Sequence, residues 1–427
     1  MEFTKKILFI NDLDDISCKK ITHFSLDKAL YLAYGMAHEK QTVYFLTTGK
    51  PFDENDIHYV NINDINIKFI KNMDLIIIVR EGIIPSIIQG IPSFKEYLLK
   101  KDGNTKIMIK SDSVQWICDK SFTSYISESF GILSNVSSIV KWTLEHFDYI
   151  CVQTTEFKND ARKLGIPENM IIMSNMAIPH MVANIDFDNL ENPYDVQHSY
   201  CVQTKDKLGE SKALLPLYYC DNSMGQFNTP KKIIIYMGRV KTDSGKLFFM
   251  MRDIMDKLGD EYELHIFPGS FIIPDIVNNT AINCSARNSN HLVMLREKIF
   301  SESKNIIIHY PCQHKDIYKY LHHAYCGIDF SEVRPSKSSI SKAGHAKILE
   351  YCSAGLPVVC ENNINNLFLI NNAENGTILP YMASVDDYVN AIKLIGNKFV
   401  DRKKYRNITF SKENSIIRAR QLLDSLQ

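Results

Sequence analysis

The chain has 427 residues, 45% hydrophobic and 23% charged, and its 49 basic and 49 acidic side chains cancel to zero net charge. That length exceeds what one hydrophobic core usually fills, so two domains are expected, with the composition of an ordinary globular protein. Balanced charge excludes a global attraction to nucleic acid or anionic membrane, so any basic site is local. The first residues lead straight into a short apolar strand, and the longest apolar runs, such as 75–79 and 306–308, are far too short to span a bilayer. Neither a secretory leader nor a transmembrane segment is expected, and the expected location is cytoplasmic. The ten cysteines are scattered, with no C-x-x-C pair. Several lie in apolar strands, Cys151 and Cys360 among them, and read as reduced core thiols.

In chain order, 6–11 reads as a first buried strand and 25–39 as a helix, through Leu26, Ala29, Leu30, Ala33 and Met36. A second strand covers 42–46, and 60–70 reads as short strands. Strands follow over 74–79, ending in the loop Arg80-Glu81-Gly82, and over 106–109 and 148–153. A helix over 156–164 and a short strand over 170–173 close this half. The segment 184–230 has no period and reads as a connection or insertion. The alternation then restarts: strand 232–237, the loop from Gly238, helix 246–258, and strand 263–267 ending in Pro268-Gly269. A less regular stretch leads to helix 292–301, strand 305–310, helix 314–323 and strand 326–330. After a helix leading to Gly355 come the strand at Val358-Val359, another at 376–379, and helices over 384–394 and 412–426. Continuous apolar strands alternating with helices predict parallel sheets covered on both faces, here two doubly wound βα domains facing a central cleft. The boundaries read as 1–183, a connection over 184–230, 231–400, and a C-terminal helix over 401–427 that packs back on the first domain.

The segment from Gly344 to Val359 is the most informative. It reads as a loop, a short helix and a buried strand, with Gly355 at a left-handed helix end and Pro357 stopping the helix. Lys347 and Glu350 share one face of that helix, which could be nothing more than an i,i+3 ion pair. From 333 to 349 there is no acid, while Arg334, Lys337, Lys342 and Lys347 are cationic. Cations at a helix N-terminus are unfavourable unless an anion sits there; a diphosphate would fit, with Glu350 one turn in to accept from sugar hydroxyls. A second such place follows Met237, where Gly238 allows close backbone approach and Arg239 offers a fork for phosphate oxygens, with Lys241 and Lys246 nearby. In doubly wound sheets ligands bind at the carboxyl ends of strands, where both basic helix starts fall.

Tyr236-Met237-Gly238-Arg239, the Lys-x-x-Glu-Tyr and Gly-x-Pro-Val-Val pattern of 344–359, and the turn Glu374-Asn375-Gly376-Thr377 resemble the donor domain of GT-B glycosyltransferases, in particular the retaining family 4 type. The resemblance is specific over about 231–394 and only architectural before it, where Asn175-Met176 stands in place of a frequent Asn-Gly. It implies a GT-B fold and a hexosyl- or pentosyltransferase that uses a nucleotide diphosphate-sugar, a glycan or glycoconjugate acceptor, and no metal cofactor. It implies that Arg239 and a nearby lysine, Lys246 or Lys241, offset charge on the leaving diphosphate, and that Glu350 holds the ribose. Gly238 and the backbone of Gly344, His345, Ala346 and Lys347 would line the donor's phosphates and sugar. The first domain would bind the acceptor.

The chain departs from that pattern at named places. Ser244 stands where a lysine is usual, and Lys342 where an acid usually touches the transferred sugar. Asn11-Asp12-Leu13-Asp14-Asp15 replaces a glycine-rich loop, and Ser111-Asp112-Ser113 follows a strand where a histidine is frequent. Asp12-Leu13-Asp14 and Asp186-Phe187-Asp188 fit a metal-binding D-x-D spacing, which is common by chance. Of the thirteen histidines, His314, His322 and His323 read as the face of one helix and His345 as a cap or ligand contact. Two rival readings remain: a catalytically silent GT-B protein that binds nucleotide or glycan or acts as a scaffold, and a glycosyltransferase acting on modified bases in DNA.

Overall fold

The first apolar run is buried on both faces of its sheet, the environment of a central parallel strand. The computed structural model describes residues 4–11, 24–100, 103–111, 114–174, 185–194, 231–240, 246–275, 280–312, 316–330, 346–362, 370, 374–395, 401–409 and 412–426. The first compact unit holds β1 (Lys6–Ile10), α1 (Phe24–His38), β2 (Thr42–Thr47), β3 (Phe52–Glu54), β4 (Ile57–Asn61), α2 (Ile67–Lys71), β5 (Leu75–Ile78), α3 (Ile84–Gly90), α4 (Pro92–Lys100), β6 (Lys106–Lys110), α5 (Lys120–Phe130), α6 (Val136–His146), β7 (Tyr149–Val152), α7 (Thr155–Lys163) and β8 (Ile171–Met173). The second holds β9 (Lys232–Val240), α8 (Lys246–Leu258), β10 (Tyr262–Asp275), β11 (Thr280–Ser285), α9 (Ser289–Ile299), β12 (Ile306–Ile308), α10 (Ile317–His323), β13 (Cys326–Ile328), α11 (Ala346–Ser353), β14 (Val358–Glu361), β15 (Gly376–Leu379), α12 (Val385–Ile395) and α13 (Arg402–Thr409). The last helix, α14 (Lys412–Asp424), belongs to the first unit. There Ala419, Leu422 and Leu423 join the core around α1, and Arg420 donates two hydrogen bonds to Glu39, at 2.7 and 3.0 Å.

The first sheet runs β3-β4-β2-β1-β5-β6-β7-β8 and is parallel apart from the β3–β4 hairpin at its edge. Period-two alternation feeds two cores: Leu8 and Ile10 point to one face, Ile7 and Phe9 to the other. In the second unit β12, β10, β9, β13, β14 and β15 pair in parallel in that order, and β11 returns antiparallel on β10. Counting parallel strands as they appear, both sheets begin 3-2-1-4-5-6, the doubly wound order whose reversal opens a crevice at the strands' carboxyl ends. No helix among the described residues is long and apolar enough to cross a membrane.

Several elements differ from the sequence expectation, each for a local reason. Residues 60–70 are strand only as far as Asn61, where β4 ends; beyond it the Asn66 side chain accepts the Phe69 N–H at 3.0 Å and starts α2 instead. β9 does not stop at Met237, because Val240 is buried and pairs with Phe271 of β10. β10 does not stop at Pro268 but runs on to Asp275, with a bulge between Pro268 and Phe271. α3 and α4 escape a reading that treats proline as a breaker. Pro85 and Pro92 sit in their first turns, where the missing N–H costs nothing.

Candidate active site

In the second sheet β9 and β13 are neighbours, paired at Cys326–Ile234 and Gly327–Ile235. The chain leaves them in opposite lateral directions, to β10 on one side and β14 on the other, so their carboxyl ends flank the crevice. The ladder stops there, and a side chain takes over. Tyr351 of α11 lays its ring on Gly327, where a Cβ would meet ring atoms at 2.6 Å. Its hydroxyl accepts the Met237 N–H at 3.1 Å and lies 3.3 and 3.4 Å from the carbonyl oxygens of Ile328 and Ile235. Burial first, and the Asp329 carboxylate second, push this phenol well above its ordinary range, so it stays neutral.

Gly238 follows with φ of 107°, a conformation that side chains disfavour. The bulge in β10 lies against it: Pro268 pairs with Gly238 and Phe271 with Val240, three residues of advance against two. The offset carries Arg239 to the surface, where its side chain is exposed and pairs with no carboxylate among the described residues. Its backbone is fixed instead, through a 3.0 Å hydrogen bond from the Tyr236 hydroxyl to the Arg239 carbonyl.

Lys347 lies beneath. Its ammonium is 3.0 Å from Asp329 Oδ1, donates to the Tyr236 hydroxyl at 3.1 Å, and stands 4.2 Å from the Tyr236 ring centroid. A Cβ on Gly238 would lie 3.5 Å from Lys347 Cε. Burial alone would lower this lysine's pKa, but Asp329 and Tyr236 outweigh it and hold the ammonium charged above the ordinary lysine range. Asp329, which follows β13, has no solvent exposure. Its carbonyl lies 2.9 Å from Tyr388 Oη, which is 3.1 Å from Glu361 Oε1.

The ion pair open to Lys347 in the sequence is thus made with Asp329, across the sheet end. Nor does α11 present a polar face. From Ile348 to Ser353 every residue is buried, Glu350 at 4% exposure included, and α11 packs against α13. Gly355 ends the helix in the expected left-handed conformation, at φ of 69°. The Leu356 and Gly355 N–H groups close on the carbonyls of Tyr351 and Cys352.

Gly238, Arg239, Ala346, Lys347 and Glu350 therefore belong to one crevice or the helix beside it. Lys246 opens α8, and only its backbone is described; Lys241, Gly344 and His345 lie outside the described residues. So do Asp12 and Asp14, while the second D-x-D segment is used within the fold. Asp186 accepts from Asp188 N at 3.2 Å and Asn189 Nδ2 at 2.7 Å, and Asp188 sits 3.8 Å from Arg406. Among the described residues no group of three or more His, Cys, Asp or Glu side chains could hold a metal. Ser111 donates to Glu81 at 2.9 Å at the carboxyl end of the first sheet. Sequence reasoning missed Tyr236, Asp329 and Tyr351 as site residues. The available signal was Asp329 itself, an acid closing the apolar strand Cys326-Gly327-Ile328 just before the acid-free basic stretch.

Two such sheets in one chain give the GT-B fold, the fold of many glycosyltransferases. The solved structures it resembles agree. A glycosyltransferase from Rickettsia africae shares 14% identity at a TM-score of 0.51, over 99% of this chain and 98% of that one. HepE from Anabaena, solved with UDP-glucose, shares 9% at 0.52, over 99% and 100%. AviGT4, a glycosyltransferase of avilamycin A biosynthesis, shares 10% at 0.53, over 99% and 96%. No protein-family model matches the sequence, and no curated protein does.

Proposed function

We propose that this protein is a glycosyltransferase that moves a hexosyl or pentosyl group from a nucleotide diphosphate-sugar to a glycan or glycoconjugate hydroxyl. It works without a metal and with retention of anomeric configuration. The second unit holds the donor and the first the acceptor. The observation that carries the reading is the exposed Arg239 guanidinium at the end of β9, beside the β10 bulge and at the strand-order reversal. The fold is common to proteins such as HepE, which was solved with UDP-glucose, and this supports a nucleotide-sugar donor.

In the reaction the bond from the anomeric carbon to the diphosphate oxygen breaks, and the electron pair leaves with the nucleoside diphosphate. The acceptor oxygen bonds that carbon and gives up its proton to an oxygen of the departing diphosphate. Charge grows on the diphosphate as the bond breaks, so a fixed cation there stabilises the transition state more than the bound donor. Arg239 supplies that charge, with Lys246 and Lys241 from the following loop and helix. Lys347 donates from the crevice floor, Glu350 accepts from the ribose, and Gly344, His345, Ala346 and Lys347 are assigned to donor binding.

A thermal-shift screen with nucleoside diphosphates and nucleotide-sugars tests this. A ligand at a hundred times its Kd adds about 2.7 kcal/mol to the folded state, enough for a clear rise in midpoint. A shift for one base and its sugars supports the reading; no shift with any of them contradicts it.

A further inference from the structure

The Lys347–Asp329 pair is not needed for packing. Two charges out of water are unfavourable unless they satisfy each other, and an apolar pair of equal volume would hold α11 on the sheet at least as well. The pair stands where the strand order reverses, and it reaches outward on one side only. Asp329 is fully buried, whereas the Lys347 side chain keeps 15% exposure. That lysine's Nζ comes within 3.9 Å of where a Gly238 side chain would begin. An ammonium has three N–H bonds; among the described residues Asp329 faces one as its ion-pair partner and the Tyr236 hydroxyl accepts another.

We propose that Asp329 is a positioning residue of the donor site: it holds the Lys347 ammonium beneath Gly238, with the third N–H available to a phosphate oxygen of the bound donor. This rests on the reading of the crevice as a nucleotide-sugar site. Asp329 is itself braced. Tyr388 Oη lies 2.9 Å from its carbonyl and 3.1 Å from Glu361 Oε1, and Glu361 Oε2 accepts the Met382 N–H at 2.8 Å. The two cations then differ in kind. Arg239 is exposed and adjusts to the ligand, while Lys347 is set in place before the ligand arrives, so its orientation costs nothing at the moment of binding.

Among the described residues the titratable groups that interact with this pair are Tyr351 on α11, Tyr236 on β9, Cys360 on β14 and Tyr388 on α12, and Glu350 and Glu361 act on these in turn. Burial raises Tyr351, Cys360 and Tyr388, which keeps them neutral through the range where the lysine titrates. Asp329→Asn removes the carboxylate that offsets burial, so the lysine loses its proton at a lower pH than in the parent protein.

The test is the affinity for UDP, ADP and GDP, titrated separately by calorimetry at several pH values above neutrality. The parent protein, Asp329→Asn, and the double variant Asp329→Asn/Lys347→Met are compared. The expected result is a parent affinity with no lysine-dependent fall and an Asp329→Asn affinity that falls as pH rises through the lysine's lowered pKa, by at most about tenfold per pH unit, and levels off near that of the double variant. The double variant, which leaves no unpaired buried charge, binds at least about tenfold more weakly at every pH. An Asp329→Asn protein with the parent's affinity and pH profile overturns the inference and leaves the donor site standing. A weaker but pH-independent affinity in that variant overturns it too, because the loss then does not pass through the lysine. Should Asp329→Asn fail to fold, the double variant carries the test, and parent-like binding by it overturns the inference. A parent protein that binds none of the three overturns the donor-site reading, and the inference with it.

Discussion

Tyr351→Phe isolates the hydroxyl that closes the end of the β9–β13 ladder. The ring stays on Gly327, so no cavity forms and the apolar contact survives. The Met237 N–H loses its 3.1 Å acceptor. The contacts to the Ile328 and Ile235 carbonyls, at 3.3 and 3.4 Å, share a single proton and add little. Leaving a buried donor unsatisfied costs about 1–3 kcal/mol, and because Met237 is only part-buried we expect the lower end, a loss of about 1 kcal/mol in the second unit. With two units in the chain a single unfolding free energy is not well defined, so the assay is native-state hydrogen exchange read peptide by peptide. A loss of about 1 kcal/mol corresponds to about fivefold faster exchange across β9, with β5 of the first unit unchanged. Exchange in β9 equal to that of the parent protein would refute the claim that this hydroxyl secures the strand end.

Further outcomes follow from the same geometry. Glu350→Gln keeps the volume of a residue buried at 4% exposure and weakens nucleotide-sugar affinity by about 1.5–3 kcal/mol; unchanged affinity by calorimetry contradicts the ribose contact. Turnover persists in excess chelator; activity lost there and restored by magnesium or manganese contradicts the metal-free reading. Acid weakens the second unit. Burial first, then His323, Arg406 and Arg402, lower His322 to about 4, and burial and His265 hold His309 well below its ordinary value. Both must gain protons on unfolding, so their contribution is complete above about 6.5 and is lost as pH falls toward 4. Discounted for its half-exposed position, His322 accounts for about 1–2 kcal/mol of that loss, and His322→Gln flattens the slope of unfolding midpoint against pH in this window.

The parallel strands were legible because burial on both faces leaves continuous apolar runs, as at Leu75–Ile78 and Ile306–Ile308. Glycine and proline marked the end of α11 because only particular backbone angles satisfy a helix terminus, and Gly355 takes them. Where a contact distant in sequence decides, the pattern is silent. Arg239 reads as a loop residue because the bulge that extends β9 past it is built by Pro268 to Phe271 on another strand. The burial of Glu350 is not visible in the sequence because α13, which packs on its helix, comes much later in the chain. Lys347 reads as the i,i+3 partner of Glu350 or as a cation facing an anion because its actual counter-charge, Asp329, lies beyond the helix spacings that sequence arguments use.

The central claim is that the cations at this crevice act on a departing nucleoside diphosphate. Single-turnover sugar transfer, or slow donor hydrolysis when no acceptor is at hand, tests it most directly when measured in the parent protein and Arg239→Ala beside an independent Kd for the nucleoside diphosphate. Losing one such group costs on the order of 100- to 1000-fold in rate, and the lysines nearby place the expected effect toward the lower end, with a much smaller change in Kd. A rate that falls only in proportion to weaker binding, or a parent protein with no transfer or hydrolysis to lose, would contradict the account.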